Sequence, residues 1–162
     1  MQRTDKLLFG IVIGIVALVI AAFAVLLLRP RLEYVADDTP EHIVHNYLLA
    51  LQREDYDRAY GYLQPDIAGY PRSVDRFRAD INQNQWQFNI DQDRSTFEIA
   101  PAAINATFAT VRVTQRVFYG EGLFGSSYDS DFSVSLRQAG PAWKITESDQ
   151  FWYPCWSDRG SC

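Results

Sequence analysis

The chain has 162 residues, 15 Lys+Arg against 20 Asp+Glu, and a formal net charge of −5. Four cations (Arg3, Lys6, Arg29, Arg31) and one acid (Asp5) precede Leu32, so the rest carries 11 Lys+Arg against 19 Asp+Glu, a net −8. A surface of that sign repels phosphate backbones and anionic lipid heads, which argues against nucleic acid as a partner.

In chain order, the first feature is Leu7 to Leu28, LLFGIVIGIVALVIAAFAVLLL, an apolar run without an ionisable side chain. As a helix it would rise about 33 Å against a bilayer core of about 30 Å, so it reads as a transmembrane anchor. A cleaved leader ending near Ala22-Phe23-Ala24 is the competing reading, but Val25 to Leu28 prolong the run beyond it. The flanking cations tie, Arg3 and Lys6 against Arg29 and Arg31. The free amino terminus of a short N-terminal tail and the cysteines break the tie. Cys155 and Cys162 are separated by a short stretch containing Gly160, a spacing that can close a small disulfide loop in an oxidising compartment, with free thiols or a metal site as the alternatives. The expected orientation is therefore N-terminus inside and the large C-terminal part extracytoplasmic. The implied division is a tail at 1–6, anchor at 7–28, linker at 29–38, one domain at 39–153 and a disulfide-closed tail at 154–162.

Thr39 is a suitable N-cap, Pro40 fits the first helical position, and Glu41 suits the positive end of the helix dipole. Ile43, Val44, Tyr47, Leu48 and Leu51 then form one apolar stripe of helical period. Asp55 caps a second helix carrying Tyr56, Ala59, Tyr60 and Leu63, which stops before Pro65. After a loop to Pro71, Ser73 caps a third with Val74, Phe77 and Ile81 inward.

From Trp86 the period changes to two. Trp86, Phe88 and Ile90 predict a half-buried strand, and Phe97 and Ile99 a second, ended by Pro101. Ala109, Val111, Val113, Gln115, Val117 and Tyr119 share one face of a long third strand. A turn at Gly120 to Gly125 leads to a fourth with Tyr128, Phe132, Val134 and Leu136 inward, and Gly140-Pro141 to a fifth from Ala142 to about Tyr153. One solvated face per strand is the mark of an antiparallel sheet, so the fold class is α+β, with three helices covering one face of the sheet.

These segments resemble the nuclear transport factor 2-like superfold, the cone-shaped fold of ketosteroid isomerases, SnoaL-like cyclases and many exported bacterial domains. The resemblance is carried by TPEHIVHNYLLALQREDYDRAYGYL at 39–63, SVDRFRADI at 73–81 and AWKI at 142–145. It implies a curved antiparallel sheet lidded by helices over a cone pocket, and it is compatible with enzymes and binding modules alike. Ketosteroid isomerases use an Asp base with a Tyr and a protonated Asp as oxyanion donors. Here the helix offers Tyr47, but the inward strand positions offer Gln115 and Glu147 in place of an Asp.

Gln115 and Glu147 each interrupt an apolar row on the face expected to be covered, which makes them pocket candidates unless strand ends carry them to solvent. Tyr47, Tyr60 and Tyr119 are candidates for the same wall, with ordinary core tyrosines as the alternative. Glu147 as base with Tyr47 or Gln115 as donor is the enzymatic alternative. Leu123 and Phe124 at a glycine-bounded turn, and Trp152 and Trp156 in the aromatic tail, are candidate partner contacts unless the tail folds back over the sheet. His42 and His45 lack a third spaced ligand, so no metal is expected, and no cofactor motif is present. The functional expectation is a membrane-anchored, non-catalytic domain binding a small apolar ligand or a protein partner, with a homodimer left open. An isomerase-like enzyme and a structural subunit of a cell-envelope assembly are the alternatives.

Overall fold

The computed structural model describes residues 2–27, 32–67, 69–88, 90, 94–120 and 125–156, with side chains in the first helix described at Phe9, 11–21 and 23. The chain divides into two compact units, Met1–Glu33 and Tyr34–Cys162.

The first unit holds α1, Gln2–Leu27. Every described side chain from Phe9 to Phe23 is exposed, although this is the most apolar stretch of the chain. Among the described residues no helix is long and apolar enough to cross a membrane.

The second unit contains α2 (Pro40–Gln52), α3 (Tyr56–Gly61), α4 (Val74–Gln83), α5 (Gln85–Phe88), β1 (Ser95–Ile99), β2 (Ala103–Asn105), β3 (Phe108–Tyr119), β4 (Ser126–Ala139) and β5 (Ala142–Ser148). The three expected caps are present: Thr39 accepts from the His42 N–H, Asp55 from Arg58 and Ser73 from Arg76. The sheet is antiparallel in the order β1-β3-β4-β5, with β2 also on β3. Its covered face carries Val111, Val113, Phe132, Val134, Leu136 and Ile145, packed in one core with Val44, Tyr47 and Leu48 of α2 and Phe77 of α4. The outer edge of β5 is not left open. Gln64 N–H donates to the Ile145 carbonyl and Ile145 N–H to the Tyr62 carbonyl, both at 2.8 Å.

Four departures from the sequence reading follow local chemistry. The strand expected from Trp86 is instead α5, entered through the Gln87 N–H donating to the Asn84 carbonyl at 2.8 Å. Phe88 and Ile90 are buried as their alternation implies, but Trp86 is 78% exposed, so the period of two was fortuitous at its first member. The short β2 joins β3 through Ala106-Thr107, with Ala106 at φ 52°, a tight turn that no glycine announces. The last strand stops at Ser148 rather than near Tyr153, because Phe151 adopts φ 53° and the chain turns away.

The fourth departure concerns Glu147. A bulge lies between the pairs Leu136↔Ile145 and Ser135↔Glu147, leaving Thr146 as the extra residue. One extra residue reverses the side-chain parity of a strand. Trp143 and Ile145 are buried, and beyond the bulge the buried position is Ser148, opposite Val134, not Glu147.

Candidate functional site

The tail after β5 is folded back into the domain. Tyr47, 1% exposed, donates its hydroxyl to the Phe151 carbonyl at 2.8 Å. Burial pushes its phenol far above the ordinary range, so it acts as a neutral donor. Trp156 is fully buried, stacked on Phe77 with ring centroids 4.8 Å apart, and donates its indole N–H to Asp80 Oδ2 at 3.0 Å. Arg76 Nε lies 2.9 Å from Asp80 Oδ1 as an ion pair, although its alignment does not make a hydrogen bond. Trp152 is 5% exposed and meets Trp156 edge-on.

Trp152 and Trp156 therefore do not form the exposed partner contact expected of them. Their area is spent in the core, where Phe77 and Phe88 receive the Trp156 ring. Leu123 and Phe124 lie outside the described residues. Cys155 carries no free thiol, and Cys162 lies outside the described residues.

Between this tail and α5 lies a cavity of about 470 Å³. Trp86 and Gln87 line it from α5, Gln115 from β3, and Ser148, Asp149 and Gln150 from the end of β5, over a floor that includes Phe151 and Trp152. Gln115 is 8% exposed, and its Nε2 donates to Ser95 Oγ over a long 3.4 Å. Gln87 Oε1 is buried without a hydrogen-bond partner among the described residues. Gln150 Nε2 donates to Ser130 Oγ at 2.8 Å, Ser148 Oγ to the Gln150 carbonyl at 2.7 Å, and Asp149 Oδ2 accepts the Ser133 N–H at 2.9 Å. A larger hollow of about 780 Å³ opens on the other side of Trp86, but Gln52, Glu54 and Arg78 give it a charged, polar wall. The first cavity combines a buried amide, an unpaired acceptor and aromatic floor, the mixture by which small-molecule sites fix orientation.

Of the residues singled out in the sequence as pocket candidates, only Gln115 lines this cavity. Tyr47 is committed to Phe151. Tyr60 donates to the Pro71 carbonyl at 2.8 Å and packs on Tyr70. Tyr119 is 52% exposed near the end of β3, and Glu147 pairs with Ser135 on the other face. Glu147, Tyr47 and Gln115 are thus not assembled into one acid–base site. Trp86, Gln87 and Gln150 were missed. The available signal was the amide-rich run around one indole, INQNQWQ at 81–87, which the apparent strand period masked.

Neither a family model nor a curated sequence matches the chain. Among solved structures it is similar to a SEC-C motif-containing protein of Rhodopseudomonas palustris, at 18% identity and TM-score 0.49, covering 71% of this chain and 80% of that one. An NTF2-like protein with a cystatin-like fold from Novosphingobium aromaticivorans is 15% identical at TM-score 0.46, covering 68% and 77%. A ketosteroid isomerase-like protein from Erwinia carotovora atroseptica is 16% identical at TM-score 0.44, covering 69% and 93%. With helices packed on an antiparallel sheet, the domain is α+β, as the sequence predicts. That statement concerns architecture alone, since one fold carries many chemistries.

Proposed function

We propose that this chain is a membrane-tethered binding domain that holds a small neutral ligand in the cavity beside Trp86, without chemical conversion. The observation that carries the binding reading is the pairing of an almost buried Gln115 amide with the partnerless Gln87 oxygen on one aromatic-floored cavity. Buried polar groups are ordinarily satisfied, and an amide left short of partners is one that a ligand can complete. The polar lining shifts the occupant from the purely apolar ligand expected at first to one with hydrogen-bonding groups. An isomerase-type reaction finds less support, because its proposed base, Glu147, is on the opposite face from Gln115.

The binding reading is tested by titrating the full chain with mixtures of neutral fragments and following the side-chain amides of Gln87 and Gln115 by NMR. Saturable shifts of the Gln87 amide that vanish when Gln115→Trp fills the cavity support it; a Gln87 shift unaffected by that substitution contradicts it.

Tethering is supported by the sequence run Leu7 to Leu28, which lacks an ionisable side chain and as a helix would rise about 33 Å against a bilayer core of about 30 Å. The C-terminal domain would then lie outside the cytoplasm, where Cys155 and Cys162 can close their loop. The full chain should stay in the membrane pellet after alkaline extraction, and intact mass without reductant should be 2 Da below the dithiol form, the loss of two hydrogens on oxidation. A chain released by alkali would contradict the tether, and a full dithiol mass from an oxidising compartment would contradict the loop.

A further inference from the structure

The chemistry of the cavity narrows the class of its occupant. Trp86 is, at 78%, the most exposed large apolar side chain among the described residues, and it stands at the cavity rim. An indole face held open to water is a stacking platform for a ring with an apolar face. Apart from the Asp149 carboxylate, the polar groups beside it are neutral: the amides of Gln87, Gln115 and Gln150 and the hydroxyl of Ser148, contributed by three separate segments.

Amides and hydroxyls both donate and accept. They complement ligand groups that do the same. An anionic ligand would want Arg or Lys, and neither is among the lining residues, while Asp149 and the net −8 after Leu32 oppose negative charge. A wholly apolar ligand would leave Gln115 and Gln87 dehydrated without partners. A ring carrying hydroxyl groups around its edge satisfies both demands. Gln87 Oε1, now without a partner, reaches such a hydroxyl by rotation about its terminal torsion, which is broad in glutamine.

Resting on the binding reading above, we infer that the cavity is a carbohydrate subsite for a neutral pyranose, whose apolar face stacks on Trp86 while its hydroxyl or acetamido groups bond to Gln87, Gln115 and Gln150. The sugar is bound and not cleaved.

The test uses the full ¹⁵N-labelled chain in a detergent without a sugar headgroup, titrated with N,N′-diacetylchitobiose. Adenosine, a flat heterocycle, and cyclohexanol, a small mostly apolar ring, serve as comparators. The expected result is a saturable shift of the Trp86 indole N–H and of the Gln87 side-chain amide, with affinity reduced at least tenfold by Gln115→Met and, read from the Gln87 amide, by Trp86→Ala, while the buried Trp156 indole N–H stays in place. Unmoved Trp156 in both variants shows that the fold is intact. A saturable shift with adenosine or cyclohexanol but not with the disaccharide overturns the sugar assignment and leaves the binding reading standing. No saturable shift with any of the three overturns both.

Discussion

Two polar regions of the domain are built from similar side chains and differ in how completely they are paired. At one end Asn46, fully buried on α2, accepts the Val35 N–H at 2.9 Å and donates to the Val35 carbonyl at 2.8 Å and to Asp37. Asp37 also accepts the Tyr62 hydroxyl at 2.9 Å, Tyr62 accepts from Arg58 at 2.8 Å, and the Arg58 guanidinium lies 3.7 Å over the Tyr34 ring. This network fastens the chain entering the domain to two helices. At the cavity end the amides of Gln87 and Gln115 have one long contact and one buried oxygen with none. On the binding reading, the contrast separates polar groups kept for the fold from polar groups kept for an occupant, since burial without pairing costs stability.

The largest effect that sharpens this contrast is expected at the tail. Trp156→Ala removes a fully buried ring and the donor to Asp80, and should lower stability by about 3–5 kcal/mol in urea unfolding. A loss below about 1 kcal/mol would mean that the tail is not part of the core.

Asn46→Leu, of matching shape, should cost about 2–3 kcal/mol, because the Val35 backbone groups lose their partner. Gly69→Ala comes next. A Cβ there would overlap the Cys155 carbonyl oxygen, so overpacking should cost about 1–3 kcal/mol. Thermal unfolding with an unchanged midpoint would contradict that close approach.

The smallest effect depends on pH. Burial, the largest single influence, raises the Glu41 carboxyl, but the Ala102 N–H donated at 2.6 Å, the Glu41 N–H, the Thr39 hydroxyl and the nearby His42 together outweigh it, so the net shift is downward from 4.5. A group depressed in the folded state adds stability above its unfolded value, and this is lost as pH falls through the lower folded value. Glu41→Gln should therefore flatten the stability curve below pH 4.5, and identical acid limbs would refute the contact.

The same contrast marks what the sequence made legible. Thr39, Asp55 and Ser73 cap the helices they announce, because a cap is decided by a few adjacent residues. The inward rows at Val111–Val113 and Phe132–Leu136 were readable for the same reason, a local period. Glu147 was misplaced because one extra residue at Thr146 reverses parity, and nothing in its composition signals a bulge. Trp86 was misplaced because two buried neighbours, Phe88 and Ile90, lent it their apparent period. The cavity itself joins α5, β3 and the segment after β5, which only the tertiary fold brings together.

The most direct test compares Gln87→Met with Asn46→Leu by urea unfolding of the full chain in detergent, without added ligand. If Gln87 is held for an occupant, Gln87→Met should leave stability within about 0.5 kcal/mol of the parent or raise it, while Asn46→Leu loses about 2–3 kcal/mol. Equal losses in the two variants would show that the cavity amide serves the fold as the clamp does, and would contradict the account.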